Sequence, residues 1–129
     1  MPSNCTFTLA KGPLPEWARE GFSTPDGWQF TITGSGNIVA VLFGYPMRAS
    51  RNVQEDGTNK ILWISKGAYA MSMTVDAQLV GSTERVSLGD VPVGPSIVDL
   101  PDAGCWHLTL HLNGDPTLAD TVDITYQKG

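Results

Sequence analysis

The sequence predicts an all-β chain folded as an antiparallel β-sandwich, immunoglobulin-like in the broad sense, with about eight or nine short strands and one short N-terminal helical turn. Three observations carry this. Apolar residues recur at period two in one segment after another, the spacing of a half-buried strand. Fourteen glycines and nine prolines punctuate the chain at short intervals. Beyond residue 20 nothing has helical periodicity, so the crossover helices that parallel neighbours need are missing, and the strands are expected to pair antiparallel.

The elements follow in order. Cys5-Thr6-Phe7-Thr8-Leu9 alternates and reads as a first strand, stopped by Gly12-Pro13-Leu14-Pro15. Pro15 to Glu20 has proline at a helix start, an acid in the first turn and Gly21 behind it, the pattern of one or two helical turns. Trp28, Phe30 and Ile32 alternate with Gln29, Thr31 and Thr33 as a strand. Gly34-Ser35-Gly36-Asn37 then turns the chain into Ile38 to Phe43, making a hairpin. That second strand is apolar without alternation and is expected to be covered on both faces.

Tyr45 to Thr58 is polar and reads as a long surface loop. Lys60 to Ser65 is the next strand, and Met71 to Leu79 has the sharpest alternation in the chain. Arg85 to Leu88 reads as an edge strand and Ser96 to Leu100 as a short strand closed by Pro101. Trp106, Leu108, Leu110 and Leu112 line one face of a long strand, and Val122, Ile124 and Tyr126 one face of the last. Asn113-Gly114-Asp115-Pro116 joins these two as a C-terminal hairpin.

A chain of 129 residues is one domain, residues 1–129, able to bury roughly two thirds of its unfolded surface without a metal or partner. Eight basic against thirteen acidic residues give a net charge of −5. The cations are scattered singly, which argues against nucleic acid and anionic lipid. The longest apolar run, Ile38 to Phe43, is six residues, far short of the ~20 that span a bilayer. Met1-Pro2-Ser3-Asn4 is neither basic nor apolar, so any leader is expected to have been removed ahead of it.

Cys5 and Cys105 are the two cysteines. They permit a single intramolecular bond, which would place the protein outside the reducing cytosol. The alternative is two buried free thiols. No Cys-x-x-Cys and no local basic cluster marks a reactive thiol.

Catalytic and metal signals are sparse. His107 and His111 share one face of a strand, but positions i and i+4 of a strand lie ~13 Å apart, too far to ligate one ion. One of them with Asp123 or Asp120 from the neighbouring strand is the metal or enzyme alternative. Asp99, Asp102, Asp120 and Asp123 show no facing pair of the kind glycosidases use. Gly34-Ser35-Gly36 sits in a hairpin rather than a strand-to-helix elbow, so a serine nucleophile has no context. Neither catalytic residues nor a cofactor or metal are assigned. Of the four tryptophans, Trp28, Trp63 and Trp106 sit among apolar neighbours and are expected in the core, while Trp17 is the candidate exposed platform.

Two stretches together carry a resemblance: Cys5 with Gly12-Pro13-Leu14-Pro15-Glu16-Trp17-Ala18-Arg19, and Pro95 to Leu100 followed by Gly104-Cys105-Trp106, with Asn59-Lys60-Ile61-Leu62-Trp63 between. The chain resembles small secreted or lipoprotein-type domains of Gram-positive, especially actinobacterial, bacteria, which have no assigned activity. The resemblance implies a β-sandwich, an extracytoplasmic location and a pairing of the early cysteine with the late Gly-Cys-Trp. It also leaves Cys5 open to a second role, as the lipidated first residue of a precursor.

The expected function is therefore a non-enzymatic binding or structural domain, secreted or at the cell envelope, with a protein or glycan partner. Tyr45, Arg48 and Arg51, with Glu55 and Asp56, mark the loop expected to make contact. A carbohydrate-binding module using Trp17 and Tyr45 is the first alternative. A small metal protein or enzyme using His107, His111 and Asp123 is the second.

Overall fold

The computed structural model describes residues 5–19, 28–43, 45–49 and 59–128. Among these residues ten strands form two five-stranded sheets packed face to face. The first sheet runs β1 (Ala10–Gly12), β2 (Trp28–Ile32), β3 (Ile38–Leu42), β5 (Lys60–Ser65), β8 (Pro95–Ile97). The second runs β4 (Met47–Arg48), β10 (Ala119–Gln127), β9 (Gly104–Leu112), β6 (Met73–Leu79), β7 (Arg85–Val91).

In the second sheet the alternating segments lie where their periodicity puts them, except that Met71 precedes β6 and is exposed; in β2 the alternation is not followed, since Ile32 is exposed, Trp28 half-buried and Thr31 buried. Trp106, Leu108, Leu110 and Leu112 of β9 are buried, as are Val122, Ile124 and Tyr126 of β10 and Met73, Val75 and Ala77 of β6. They meet Ile38, Ala40 and Leu42 of β3 and Trp63 of β5 in the core between the sheets. The indoles inside keep hydrogen bonds: Trp63 Nε1 donates to Ser96 Oγ at 3.0 Å and Trp106 Nε1 to the Asp102 carbonyl at 2.9 Å.

All five residues of β3 are buried, because its second face is covered too. Leu14 and, from the 3-10 turn Glu16–Ala18 that follows it, Ala18 pack there against Phe30, Val39 and Val41. Arg19 Nε donates to the Leu14 carbonyl at 2.8 Å and closes this cap. The N-terminal turn is thus a third layer over the first sheet.

Three expectations are corrected. Cys5 to Leu9 is not a strand; the pairing segment is Ala10–Gly12, opposite Phe30, Gln29 and Trp28. The alternation of 5–9 is real, with Phe7 and Leu9 against the core, but no ladder accompanies it. The pairing is not wholly antiparallel, since Met47 and Arg48 lie parallel to Tyr126 and Gln127. A crossover helix is needed only between successive strands; here five strands of intervening chain bring β4 and β10 together. That two-residue strand also interrupts the expected 45–58 loop.

A buried amide explains β4. Asn59 Oδ1 accepts from Arg48 N at 2.8 Å, and its Nδ2 donates to the Arg48 carbonyl at 2.7 Å and to Asp99 Oδ1 at 2.8 Å. The side chain pairs with the Arg48 backbone as a neighbouring strand would.

Candidate functional site

Residues 5–9 form a strap. It begins on the outer face of the second sheet, crosses the margin of β10 and enters the first sheet as β1. Its start is fixed by the Cys5–Cys105 disulfide, which joins residues 100 apart in sequence with their Cα atoms 5.9 Å apart. The Gly-Cys-Trp motif has a steric logic. Gly104 has φ +136°, and a Cβ there would fall 2.8 Å from Leu79 Cδ1. From it Cys105 faces out and Trp106 faces the core. An immunoglobulin disulfide bridges two sheets through the core; this one ties a strap to the outside of a single sheet.

Beside the bond lies a buried carboxylate. Asp123 of β10 stands opposite His107 of β9 in the register. Asp123 Oδ1 is 2.6 Å from His107 Nδ1, and Oδ2 accepts from both the amide and the hydroxyl of Thr6 at 2.8 Å. An ionised carboxylate only accepts, so the imidazole carries its proton on Nδ1. The side chain of Asp123 is 2% exposed and that of His107 27%.

Strap, β2 and β10 frame a crevice of about 290 Å³. Thr6 and Thr8 line it from the strap, Thr31 and Ile32 from β2, and Thr121 from β10, with His107 and Asp123 also in its wall. The turn after β2 is held against β10 by Gly34 N donating to the Thr121 carbonyl at 2.8 Å. Buried Asp120 helps, accepting from Ser35 N at 3.1 Å and Ser35 Oγ at 2.6 Å. The lining offers four hydroxyls, an imidazole and apolar edges, a mixture suited to recognition.

The other expected residues fall elsewhere. His111 turns to β6, its Nε2 3.1 Å from Asp76 Oδ2. His107, His111 and Asp123 therefore do not converge as a set; only His107 and Asp123 meet. Trp17 is half-buried in the cap over the first sheet. Tyr45 packs on the inter-sheet core, its ring stacked on Phe7 at 6.1 Å between centroids. These two aromatics lie on opposite faces of the first sheet and make no shared platform. Trp28 is half-buried, edge-on to Phe43 at 5.5 Å. Arg48 is exposed on β4, while Arg51, Glu55 and Asp56 lie outside the described residues. The crevice threonines were not singled out from sequence. The alternation of Thr6 and Thr8 with Phe7 and Leu9 was visible, but their meeting with Thr31 and Thr121 depends on the fold.

Among the described residues, one group has metal-ligating potential: Cys5 Sγ, Cys105 Sγ and an Asp123 oxygen, all within 4.8 Å of one another. Its sulfurs are bonded to each other in this structure. Among those residues no helix is long and apolar enough to cross a membrane. No family model matches the chain, and no curated protein or solved structure matches it either. Fold and site define a disulfide-bonded β-sandwich with a strapped crevice on one side.

Proposed function

We propose that the protein is a non-enzymatic binding domain working outside the cytoplasm, at the cell envelope, and that its ligand seats in the strapped crevice. The observation that carries this reading is the strap itself. A disulfide bond, the mark of an oxidising compartment, holds the wall of a hydroxyl-lined crevice in place. A preformed wall loses little freedom on binding. With Cys5 bonded to Cys105, its sulfur is not available for lipidation, so the secreted form of the reading is preferred to the lipid-anchored one.

The glycan version is favoured by the lining. Threonine hydroxyls and His107 match the polar edge of a sugar, and Ile32, 41% exposed, offers an apolar surface to its C–H face. The volume, near the lower end of ligand sites at roughly 300 Å³, suits one ring. Trp17 and Tyr45 are not needed for it.

The test is an NMR titration of the isotope-labelled, oxidised protein with cell-wall glycan fragments and, separately, with wall peptides. The reading predicts shifts clustered at Thr8, Thr31, Thr121 and His107, abolished by Thr31→Val with Thr121→Val. Shifts confined to residues 45–58 would move the site to that loop, and no shift with either class would overturn the reading.

A further inference from the structure

The disulfide corner has a second chemistry when the bond is open. We propose that reduction of Cys5–Cys105 turns it into a zinc site, with Cys5 Sγ, Cys105 Sγ and the Asp123 carboxylate as ligands and water in the fourth position.

The donor set is the first argument. Two thiolates and a carboxylate are a set that zinc accepts, with Zn–S near 2.3 Å and Zn–O near 2.0–2.2 Å in a tetrahedron, so ligand atoms stand about 3.5–3.8 Å apart. The three donors already lie within 4.8 Å of one another. They come from the strap, β9 and β10, and no rearrangement of the sheets is needed to bring them in.

Asp123 is the second argument. A carboxylate has about four lone-pair positions, and three here are filled by Thr6 N, Thr6 Oγ1 and His107 Nδ1. One remains. The same three donors hold the carboxylate in position, the role that outer hydrogen bonds play around metal-ligating carboxylates. The sulfurs need only move apart. Cys5 is exposed, with its sulfur 3.7 Å from the Thr125 hydroxyl, so once the bond is open its side chain has room to turn while Thr6 stays on Asp123.

The chemistry balances with a dithiol as reductant. The disulfide takes up two electrons and two protons, giving two thiols, and the dithiol becomes a disulfide. Each cysteine then releases its proton as zinc binds. The metal would hold the strap to the second sheet as the covalent bond does in the oxidised chain, so a newly made chain would be tied before oxidation.

The experiment uses the full chain, reduced with a dithiol, freed of it under anaerobic conditions and titrated with Co²⁺ alone. The proposal predicts thiolate-to-cobalt charge-transfer absorption saturating at one ion per chain and bleached by Zn²⁺. The oxidised chain should show none. Asp123→Asn should weaken binding by more than about tenfold, with its oxidised form checked for cooperative melting. X-ray absorption of the zinc-loaded wild type covers the case in which that variant does not fold: two sulfur and two lighter ligands support the site. If the reduced chain is unfolded, added zinc should restore its near-ultraviolet circular dichroism. No charge-transfer band, a four-sulfur shell shared between chains, unchanged affinity in Asp123→Asn, or failure of zinc to refold an unfolded reduced chain would each overturn it.

Discussion

Asp123 and His107 face each other across the β10–β9 register with Oδ1 and Nδ1 2.6 Å apart, and the other oxygen of the same carboxylate holds Thr6 at 2.8 Å. One buried acid therefore joins the adjacent strands β9 and β10 of the second sheet to the strap that closes its side. The disulfide stands next to it, so the strap is fixed twice at one place.

Removing the acid should release the strap without disturbing the core. Asp123→Ala leaves the Thr6 amide and His107 Nδ1 without their partner. Hydrogen bonds to a charged group contribute about 1.5–3 kcal/mol each, and they do not add fully. Destabilisation of about 2–4 kcal/mol is expected in urea unfolding of the oxidised protein, with the Thr6 amide exchanging much faster. Wild-type stability would show that the disulfide alone fixes the strap.

The covalent tie should contribute on a similar scale. Closing a loop of about 100 residues stabilises by up to ~4.7 kcal/mol in the chain-entropy model. Cys5→Ser with Cys105→Ser should lower the urea midpoint by a corresponding amount and leave the strand signature of the folded state unchanged. An unshifted midpoint would contradict the account of the tie.

Asn59 is expected to be as sensitive as any core side chain. It is fully buried at φ +64°, and its amide serves both backbone groups of Arg48. Asn59→Gly keeps the backbone conformation and loses the amide, whereas Asn59→Ala loses both. Destabilisation of about 2–4 kcal/mol is expected for Asn59→Gly, and about 1 kcal/mol more for Asn59→Ala. Equal values would show that the left-handed conformation carries no strain.

Tyr126 gives an alkaline signature. Its hydroxyl donates to the Val98 carbonyl in the core, and burial, then the Asp99 carboxylate, push its phenol far above the usual value of 10.0. The folded state therefore keeps its proton at a pH where the unfolded chain has lost it. The stabilisation is complete below about pH 10 and falls as pH rises toward the folded value, by about 1.4 kcal/mol per pH unit. Tyr126→Phe should be about 1 kcal/mol less stable at neutral pH and should lack this slope. The gap between the two proteins then closes above about pH 10; a constant gap would contradict the buried, neutral phenol.

Much of the sandwich was legible because local period and burial agree. The Trp106 to Leu112 and Val122 to Tyr126 faces, and the unalternating Ile38 to Leu42, read directly as one-sided and two-sided strands. The strap misled because Phe7 and Leu9 alternate for the sake of the core, while pairing needs a neighbour that the sequence does not show. β4 was invisible because an amide eleven residues away, together with the last strand, makes its pairing. The histidine–aspartate pair was half legible: adjacent strands were expected, but the register that sets His107 opposite Asp123, and His111 diagonally across from Asp76, belongs to the fold. The crevice draws on separate segments and has no local signature.

The central claim is that Cys5 and Cys105 are bonded and that the protein works where such a bond persists. The most direct test is a count of free thiols in denatured, unreduced protein taken from its native source. The account predicts none, rising to two on reduction, with the mass of a monomer throughout. Two free thiols before reduction would contradict it, and with it the extracytoplasmic binding role.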